Sequence, residues 1–332
     1  MPDPASDAEP LRVLVLRGGP DRERDVSLAS GGRVAAALRD AGHAVTEADV
    51  TPTDRKAFDA FAAAHGGDDS AVVFPALHGP WGEGGGLQRL LETAGLPYVG
   101  CRPDAAALCM DKAATKATLR VAGLPTPDSE RIDTAFAPTL EPPVVVKPNA
   151  EGSSVDLRVC RDADALAAAW SELGPRYPEL LVERLATGRE ITIGLVENAA
   201  GVPEPLPPIH VDPAGGVYDY AAKYERNDTA YRFDLNLPPD VARGLNELAV
   251  AAYTALGCRH LARLDLFLDL SGPERVAQVI EVNTMPGFTD HSLLPMAAAR
   301  AGRDLPTLCD HLVRRALADT ASRSTQQEPR TK

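Results

Sequence analysis

The chain has 332 residues, 44% of them hydrophobic and 24% charged, which predicts two or three packed units of an ordinary globular protein. Its formal net charge of −13 argues against a nucleic-acid partner, and no apolar run approaches the roughly 20 residues of a membrane span. Five scattered cysteines without a C-x-x-C pair, and an acidic, proline-rich start unlike a signal peptide, predict a cytoplasmic location with reduced thiols.

Strands and helices alternate through the first hundred residues. The short apolar runs Leu11–Leu16 and Ala71–Leu77 predict buried parallel strands. A helix over Leu28–Leu38 and a strand near Ala44–Val50 are expected between them. This βαβ alternation predicts an α/β domain over residues 1–102, built on a doubly wound parallel sheet, with its polar first ten residues disordered.

A second unit is expected over residues 103–184. Its predicted elements are helices over Asp104–Val121 and Asp162–Leu173 and strands over Pro143–Lys147 and Leu180–Glu183.

A third unit is expected over residues 185–332. Its predicted elements are strands over Glu190–Val196, Leu261–Leu270 and Val276–Val282, a helix over Pro239–Leu256 and a terminal helical segment. Residues 217–233 are polar and predict a loop, and residues 319–332 predict a disordered tail.

Three oxygen-donor residues fall on the last two predicted strands. Asp265 lies on one strand, and Glu281 and Asn283 lie two residues apart on the next, so a hairpin would bring all three to one face. Carboxylate and amide oxygens of this kind bind magnesium together with phosphates, although a solvated hairpin with outward acidic residues is the alternative. Arg263 falls on the same face and favours the metal site, because a transferring phosphate or a developing oxyanion needs a nearby cation.

The segment Lys147–Ser154 places a lysine at the end of a predicted strand and a glycine- and serine-rich loop after it. The lysine charge and the backbone N–H groups of such a loop suit a phosphate, but an ordinary surface turn has the same composition. The chain contains no P-loop, no G-x-G-x-x-G at its first strand and no G-x-S-x-G elbow. Dinucleotide binding of the Rossmann type and Ser/His/Asp hydrolysis are therefore disfavoured.

Two further segments carry candidate ligand contacts. His78 begins a glycine-rich segment at the carboxyl end of a predicted strand, where open α/β sheets bind ligands; a purely structural histidine is the alternative. Tyr218–Tyr224 holds three tyrosines and Lys223, which suits a lid that covers a nucleotide and excludes water. A partly buried connecting loop would show the same composition.

In this order, the segments resemble the D-alanine–D-alanine ligase family of the ATP-grasp superfamily. The matching stretches, spread over residues 18–295, are GGPDRERDVSLASG, VVFPALHGPWGEGGGLQRLLETAGLPYVG, MDKAATK, VVVKPNAEGSSV, LVERLATGREITIG, YDYAAKY, LARLDLF and IEVNTMPGFTDHSLLP. The resemblance implies a Rossmann-like N-terminal substrate domain followed by two ATP-grasp subdomains of α+β character. It also implies a homodimer through the N-terminal unit.

The resemblance further implies contacts to ATP and to two magnesium or manganese ions. The residues expected to bind ATP are Lys112, Lys147, Glu183, Arg184, Leu185, Glu190 and Lys223. The expected metal ligands are Asp265, Glu281 and Asn283, in agreement with the pattern on the predicted hairpin.

For the amino-acid substrates the resemblance implies two subsites. Those expected at the first D-alanine are Glu23, His78, Ser153 and Tyr224. The oxyanion is expected to meet Arg263 and the backbone of Gly287, and the second D-alanine carboxylate to meet Ser292 and Leu293.

The activity that the resemblance implies is a two-step ligation in peptidoglycan precursor synthesis. The first D-alanine carboxylate attacks the γ-phosphate of ATP, and the amine of the second D-alanine then displaces phosphate from the acyl phosphate. Such chemistry needs neutralised charge and excluded water, with the segment 217–233 as the expected lid.

The chain departs from the family pattern at four places. Gly84 replaces the aspartate of a GED sequence, and Asp156 replaces a glycine after EGSSV. Asp21 and Asp25 stand where serine and glutamate are usual, and the segment from Thr229 lacks the usual Pro-Ala. The alternatives are therefore a related ligase with D-serine or D-lactate as the acceptor, or one that serves a specialised pathway, although the pair Lys223-Tyr224 favours D-alanine over D-lactate. A nucleotide-binding protein without ligase activity is the alternative from another class.

Overall fold

The computed structural model describes residues 9–216, 218, 222, 223, 228–272 and 275–327. A parallel sheet forms first, with strand order β2-β1-β3. Its elements are β1 (Arg12–Arg17), α1 (Arg24–Asp40), β2 (Ala44–Asp49), α2 (Lys56–His65), β3 (Ala71–Pro75), α3 (Gly79–Glu83) and α4 (Gly86–Ala94). The predicted parallel α/β sheet is confirmed, and every residue of β3 is buried, as a strand covered on both faces requires.

The second sheet is antiparallel and has the strand order β4-β7-β5-β6. Its strands and the helices beside them are α5 (Pro103–Met110), α6 (Lys112–Val121), β4 (Ser129–Asp133), β5 (Val144–Pro148), β6 (Arg158–Cys160), α7 (Ala163–Leu173) and β7 (Glu179–Arg184). The predicted helical stretch Asp104–Val121 is divided at Asp111, whose carboxylate caps α6 by accepting from the Ala114 amide.

The third sheet is also antiparallel, with the order β11-β10-β8-β12-β13 and β9 paired to β8. Its elements are β8 (Arg189–Glu197), β9 (Pro203–Pro205), β10 (Ile209–Pro213), β11 (Thr229–Arg232), α8 (Pro239–Ala255), β12 (Leu261–Asp269) and β13 (Val276–Asn283). The expectation of a loop over 217–233 was wrong at its end, because residues 229–232 pair with β10.

Two helices follow the third sheet, α9 (Leu293–Arg300) and α10 (Leu305–Gln327). A disordered tail was expected over residues 319–332, but residues 319–327 continue α10, and residues 328–332 lie outside the described residues. Asp319 lies 2.9 Å from an Arg259 guanidinium nitrogen and 3.3 Å from one of Arg102, which anchors the helix there.

The hydrophobic core crosses from the first sheet to the C-terminal helices. Val13 and Val15 of β1 and Val34 of α1 belong to the same buried cluster as Leu308 and Leu312 of α10. None of the helices in the described part of the chain is long and apolar enough to cross a membrane.

Candidate active site

The β12–β13 hairpin carries a charged face whose register is fixed by the backbone ladder. Arg263 pairs with Asn283 and Asp265 pairs with Glu281, in antiparallel register. Facing residues of paired strands lie on the same side of the sheet. The predicted convergence of Asp265, Glu281 and Asn283 beside Arg263 is therefore confirmed as geometry.

Arg263 is held by a carboxylate of its own strand. Its Nε and Nη2 donate to the two carboxylate oxygens of Asp265 at 2.9 and 2.7 Å. Thr192 Oγ1 on β8 donates to the same carboxylate at 2.6 Å. Burial lowers the pKa of Arg263, but Asp265 and Glu281 outweigh burial and raise it, so the guanidinium stays charged.

Glu281 remains an anion in spite of burial. Burial raises its pKa, but the charges of Lys112, Lys223, Lys147 and Arg263 outweigh burial and lower the pKa to about 2. The Lys112 ammonium lies 3.9 Å from the Glu281 carboxylate. An ionised carboxylate among cations is suited to bind a metal–phosphate complex.

The donor set of the hairpin fits a hard divalent cation. Asp265 and Glu281 supply carboxylate oxygens, and Asn283 supplies an amide oxygen that also accepts from the Met285 amide at 2.9 Å. Few protein oxygens combined with phosphates are the usual environment of magnesium. Among the described residues, no three or more histidine, cysteine or acidic side chains form a group that could hold a metal.

A second charged group lies in the second sheet. The buried carboxylate of Glu183 on β7 is 2.5 Å from Lys147 Nζ and 2.8 Å from Lys116 Nζ. Burial raises the pKa of Glu183, and the two lysines lower it by a larger amount. Burial also lowers the pKa of Lys116 to about 8, against the attraction of Glu183.

Glu23 and Ser153 meet although they are 130 positions apart in the chain. Glu23 precedes α1, and its carboxylate accepts a short hydrogen bond from Ser153 Oγ. The loop passes so close that a Cβ on Gly152 would lie 2.4 Å from Glu23 Oε2. Only glycine allows this approach without displacing the carboxylate.

His78 and Glu83 are both buried, His78 between β3 and α3 and Glu83 at the end of α3. Burial lowers the pKa of His78, so its imidazole is neutral, and burial raises the pKa of Glu83 well above its ordinary value. Glu83 Oε1 accepts from the Gly79 amide at 3.1 Å, and His78 Nε2 lies 3.4 Å from Ser30 Oγ.

Two cavities that share lining residues contain these groups. The inner cavity, of about 70 Å³, is lined by Glu23, Val26, His78, Ser153, Tyr218, Lys223, Arg263, Glu281, Asn283, Gly287, Thr289, His291, Ser292 and Leu293. The outer cleft, of about 330 Å³, lies between the second and third sheets. Among its lining residues are Lys112, Lys147, Glu151, Ser154, Glu183, Arg184, Leu185, Glu190, Tyr218, Lys223, Asp265 and Glu281. Tyr218, Lys223 and Glu281 line both spaces, so a ligand in one adjoins a ligand in the other.

The sequence-predicted residues divide between these cavities. Those expected at the amino acids or the oxyanion line the inner cavity, and those expected at ATP line the outer cleft. Tyr224 lies outside the described residues. Sequence reasoning missed Lys116, whose signal was its position four residues after Lys112 on one helix face. It also assigned no substrate contact to Thr289 or His291, which line the inner cavity.

Three of the residues that depart from the family pattern, Asp21, Asp25 and Gly84, have a local explanation. The Asp21 carboxylate accepts from the amides of Trp81 and Gly82 at 2.9 and 3.3 Å and so holds α3. Asp25 lies in the first turn of α1, where an acidic side chain favours the helix dipole. A Cβ on Gly84 would lie 2.3 Å from the Pro80 carbonyl oxygen, so this backbone admits only glycine.

Solved structures share this architecture. The D-alanine–D-alanine ligase of Bacillus anthracis in complex with ATP is 28% identical, with a TM-score of 0.76 over 94% of this chain and 99% of that one. The enzyme from Coxiella burnetii is 26% identical, with a TM-score of 0.79 over 96% of this chain and 97% of that one. The fold is therefore that of the ATP-grasp ligases.

Sequence comparison defines the family more narrowly. Residues 46–101 match the family model for the N-terminus of D-ala D-ala ligase, and residues 119–314 match the one for its C-terminus. D-alanine–D-alanine ligase B of Chromobacterium violaceum is 39% identical over 90% of this chain and 95% of its own length. The ligase of Desulforudis audaxviator is 40% identical over 91% of this chain and 97% of its own length. The chain belongs to the D-alanine–D-alanine ligase family.

Proposed function

We propose that this enzyme uses ATP to join two D-alanines into D-alanyl-D-alanine for peptidoglycan precursor synthesis. The observation that carries the proposal is the junction of the inner cavity and the outer cleft at Tyr218, Lys223 and Glu281. A carboxylate bound in the inner cavity would adjoin the phosphate end of a nucleotide in the outer cleft. Family membership supports the same reaction.

In the first step, the carboxylate of the first D-alanine attacks the γ-phosphorus and ADP leaves. Glu23 would accept hydrogen bonds from the substrate ammonium, with Ser153 orienting Glu23. The neutral His78 can donate a hydrogen bond to the substrate carboxylate without carrying a charge. Lys112 and Lys147 would neutralise the phosphates, and Glu183 would hold Lys147 in place.

Asp265, Glu281 and Asn283 would hold magnesium or manganese, for which they are a fitting set of oxygen donors. Such ions, two in each site on our proposal, would supply charge neutralisation to the phosphates. Arg184, Leu185, Glu190 and Lys223 would complete the nucleotide site, with Glu190 near the ribose.

In the second step, the amine of the second D-alanine attacks the acyl carbon and phosphate leaves. The oxyanion of the tetrahedral intermediate would bind Arg263 and the backbone of Gly287. Because Asp265 fixes the guanidinium by two hydrogen bonds, this donor is oriented before the charge develops. The carboxylate of the second D-alanine would lie at Ser292 and Leu293, at the start of α9.

Closure over the nucleotide is assigned to the part of the segment 217–233 that precedes β11, in which Lys223 and Tyr224 are expected to contact substrate. Lys223 Nζ lies 5.1 Å from the centroid of the Tyr218 ring, a cation–π arrangement within this segment, and both residues line both cavities. The cytoplasmic location and the homodimer stay predictions.

The first test is phosphate release from ATP and magnesium with D-alanine as the sole amino acid, together with mass spectrometry of the product. We expect one dipeptide for each phosphate and no product with L-alanine. Phosphate release that requires D-serine or D-lactate beside D-alanine would replace the proposed acceptor. ATP binding without turnover on any of these acceptors would contradict ligation altogether.

A further inference from the structure

The loop that presents Ser153 has an unfavourable backbone. We name residues 151–157 the serine loop. Ser153, Ser154 and Asp156 have φ values of 51°, 54° and 56°, in the left-handed region that residues with a Cβ rarely adopt. A loop with such residues keeps its conformation only if surrounding contacts hold it.

On one side, the serine loop contacts the two cavities. Ser153 Oγ donates to Glu23, and Ser154 Oγ donates to the Tyr218 carbonyl oxygen at 3.2 Å. Both partners line the inner cavity. The conformation of the loop therefore sets where the Glu23 carboxylate lies.

On the other side, Asp156 ties the serine loop to the segment that follows α7. Its carboxylate oxygens accept from Arg176 Nη1 and Nη2 at 3.2 and 2.6 Å, and Tyr177 OH makes a short hydrogen bond to one of them. The Asp156 side chain is 13% exposed. A shielded carboxylate with a bidentate arginine and a phenol is held more firmly than an exposed surface ion pair.

The same carboxylate reaches the residue next to Glu23. Arg22 Nη1 lies 3.6 Å from Asp156 Oδ2 and donates to Tyr177 OH at 3.4 Å. The serine loop thus contacts two consecutive residues of the first domain, Glu23 through Ser153 and Arg22 through Asp156. These two contacts at neighbouring positions fix both the orientation of the serine loop and its distance from the first domain.

We propose that Asp156 is a positioning residue for the first amino-acid subsite: it latches the serine loop so that Ser153 orients Glu23. This inference rests on the proposed substrate role of Ser153 and Glu23. Glycine at this position would accept the left-handed backbone but would offer no side chain to Arg176, Tyr177 or Arg22. In this chain the ion pairs of Asp156 hold the left-handed backbone that glycine would adopt without strain.

Asp156→Asn is the variant of choice, because asparagine tolerates the left-handed backbone and keeps the shape of the side chain but removes its charge. We expect the KM for D-alanine to rise roughly tenfold, the KM for ATP to rise less, and the melting temperature to stay within a few degrees. Amide hydrogen exchange of residues 151–157 should accelerate. The matched control is Asp240→Asn, which removes an exposed ion pair with Arg275 and should change none of these quantities.

A double-mutant cycle with Ser153→Ala tests whether Asp156 acts through Ser153. The latch predicts that Asp156→Asn adds little to the KM for D-alanine once Ser153 is alanine. Independent effects that add fully would overturn the latch, as would a normal KM in both Asp156→Asn and Asp156→Gly beside an impaired Ser153→Ala. A normal KM in Ser153→Ala itself would overturn the proposed role of Ser153 as well.

Discussion

The β12–β13 hairpin and the serine loop both deliver charged or polar groups to the inner cavity, but different forces position them. The ladder of backbone hydrogen bonds fixes Arg263, Asp265, Glu281 and Asn283, whose side chains follow automatically from strand register. The serine loop has left-handed residues and is held by side chains outside the cavity. A single substitution leaves the strand register unchanged, whereas it can change the conformation of a loop that is held by side chains. Substitutions in the hairpin should therefore affect chemistry, and those around the loop should affect substrate binding.

The largest effect is expected from Arg263→Ala. If Arg263 binds the oxyanion as proposed, loss of this oriented donor should lower kcat by roughly 10²–10³-fold, with a smaller change in the KM for D-alanine. Steady-state dipeptide formation measures both constants. Arg263→Lys is the companion variant, since it keeps the charge but loses the bidentate fork to Asp265, and it should recover only part of kcat. A normal kcat with a raised KM in Arg263→Ala would show that the hairpin acts on substrate binding, as the serine loop does. That result would contradict the comparison.

An intermediate effect is expected from Gly152→Ala. The added Cβ would lie 2.4 Å from Glu23 Oε2, and the flexible carboxylate would give way and leave Ser153. The KM for D-alanine should rise roughly tenfold with little loss of thermal stability, because a side-chain end moves and not the backbone. Gly244→Ala is the control: nothing lies within 4 Å of a Cβ there, and the helix should gain about 1 kcal/mol. A large drop in melting temperature in Gly152→Ala without a change in KM would show that the contact is purely structural.

The smallest effect is expected at Glu190, whose ionisation depends on the charges of the hairpin. Burial, with Asp265 and Glu281, raises the pKa of Glu190 to about 7 against the attraction of Lys223. Between its ordinary pKa of 4.5 and about pH 7, Glu190 therefore keeps a proton in the folded state that it has released in the unfolded state. The stability that Glu190 contributes is full below pH 4.5 and is lost as pH rises through about 7.

Glu190→Gln should remove this dependence. Relative to the variant, the wild type should lose about 2 kcal/mol of unfolding free energy between roughly pH 5 and 7 in ligand-free urea titrations. Glu247→Gln, at an exposed site on α8, should leave the pH dependence unchanged. A parallel pH profile for wild type and Glu190→Gln would show that Glu190 is ionised across this range in the folded protein.

The sequence predicted the structure correctly where the periodicity of a strand decides which side chains share a face. Alternation put Glu281 and Asn283 on one side of a strand, and the pairing of Asp265 with Glu281 followed from an antiparallel hairpin. The parallel first sheet was equally accessible, because apolar runs such as that of β3 are typical of buried strands.

The same reasoning failed where tertiary partners decide. The strands β9, β10 and β11 were not predicted, because they are short and both β9 and β10 contain proline. Their pairing with β8 and with each other depends on distant residues. Asp156 was noticed only as a departure from a glycine, because its partners Arg22 and Arg176 are remote in sequence. A burial pattern cannot identify Lys116 either, since a lysine is seldom enclosed without a partner such as Glu183.

The core shared by β1, α1 and α10 also constrains the order in which the chain can mature. Val13 and Val15 of β1 and Val34 of α1 share a buried cluster with Leu308 and Leu312 of α10. During synthesis, β1 and α1 leave the ribosome long before α10 does, so this cluster is incomplete until α10 has been made. A nascent or truncated chain without α10 should therefore expose part of this apolar cluster, the kind of surface that chaperones bind.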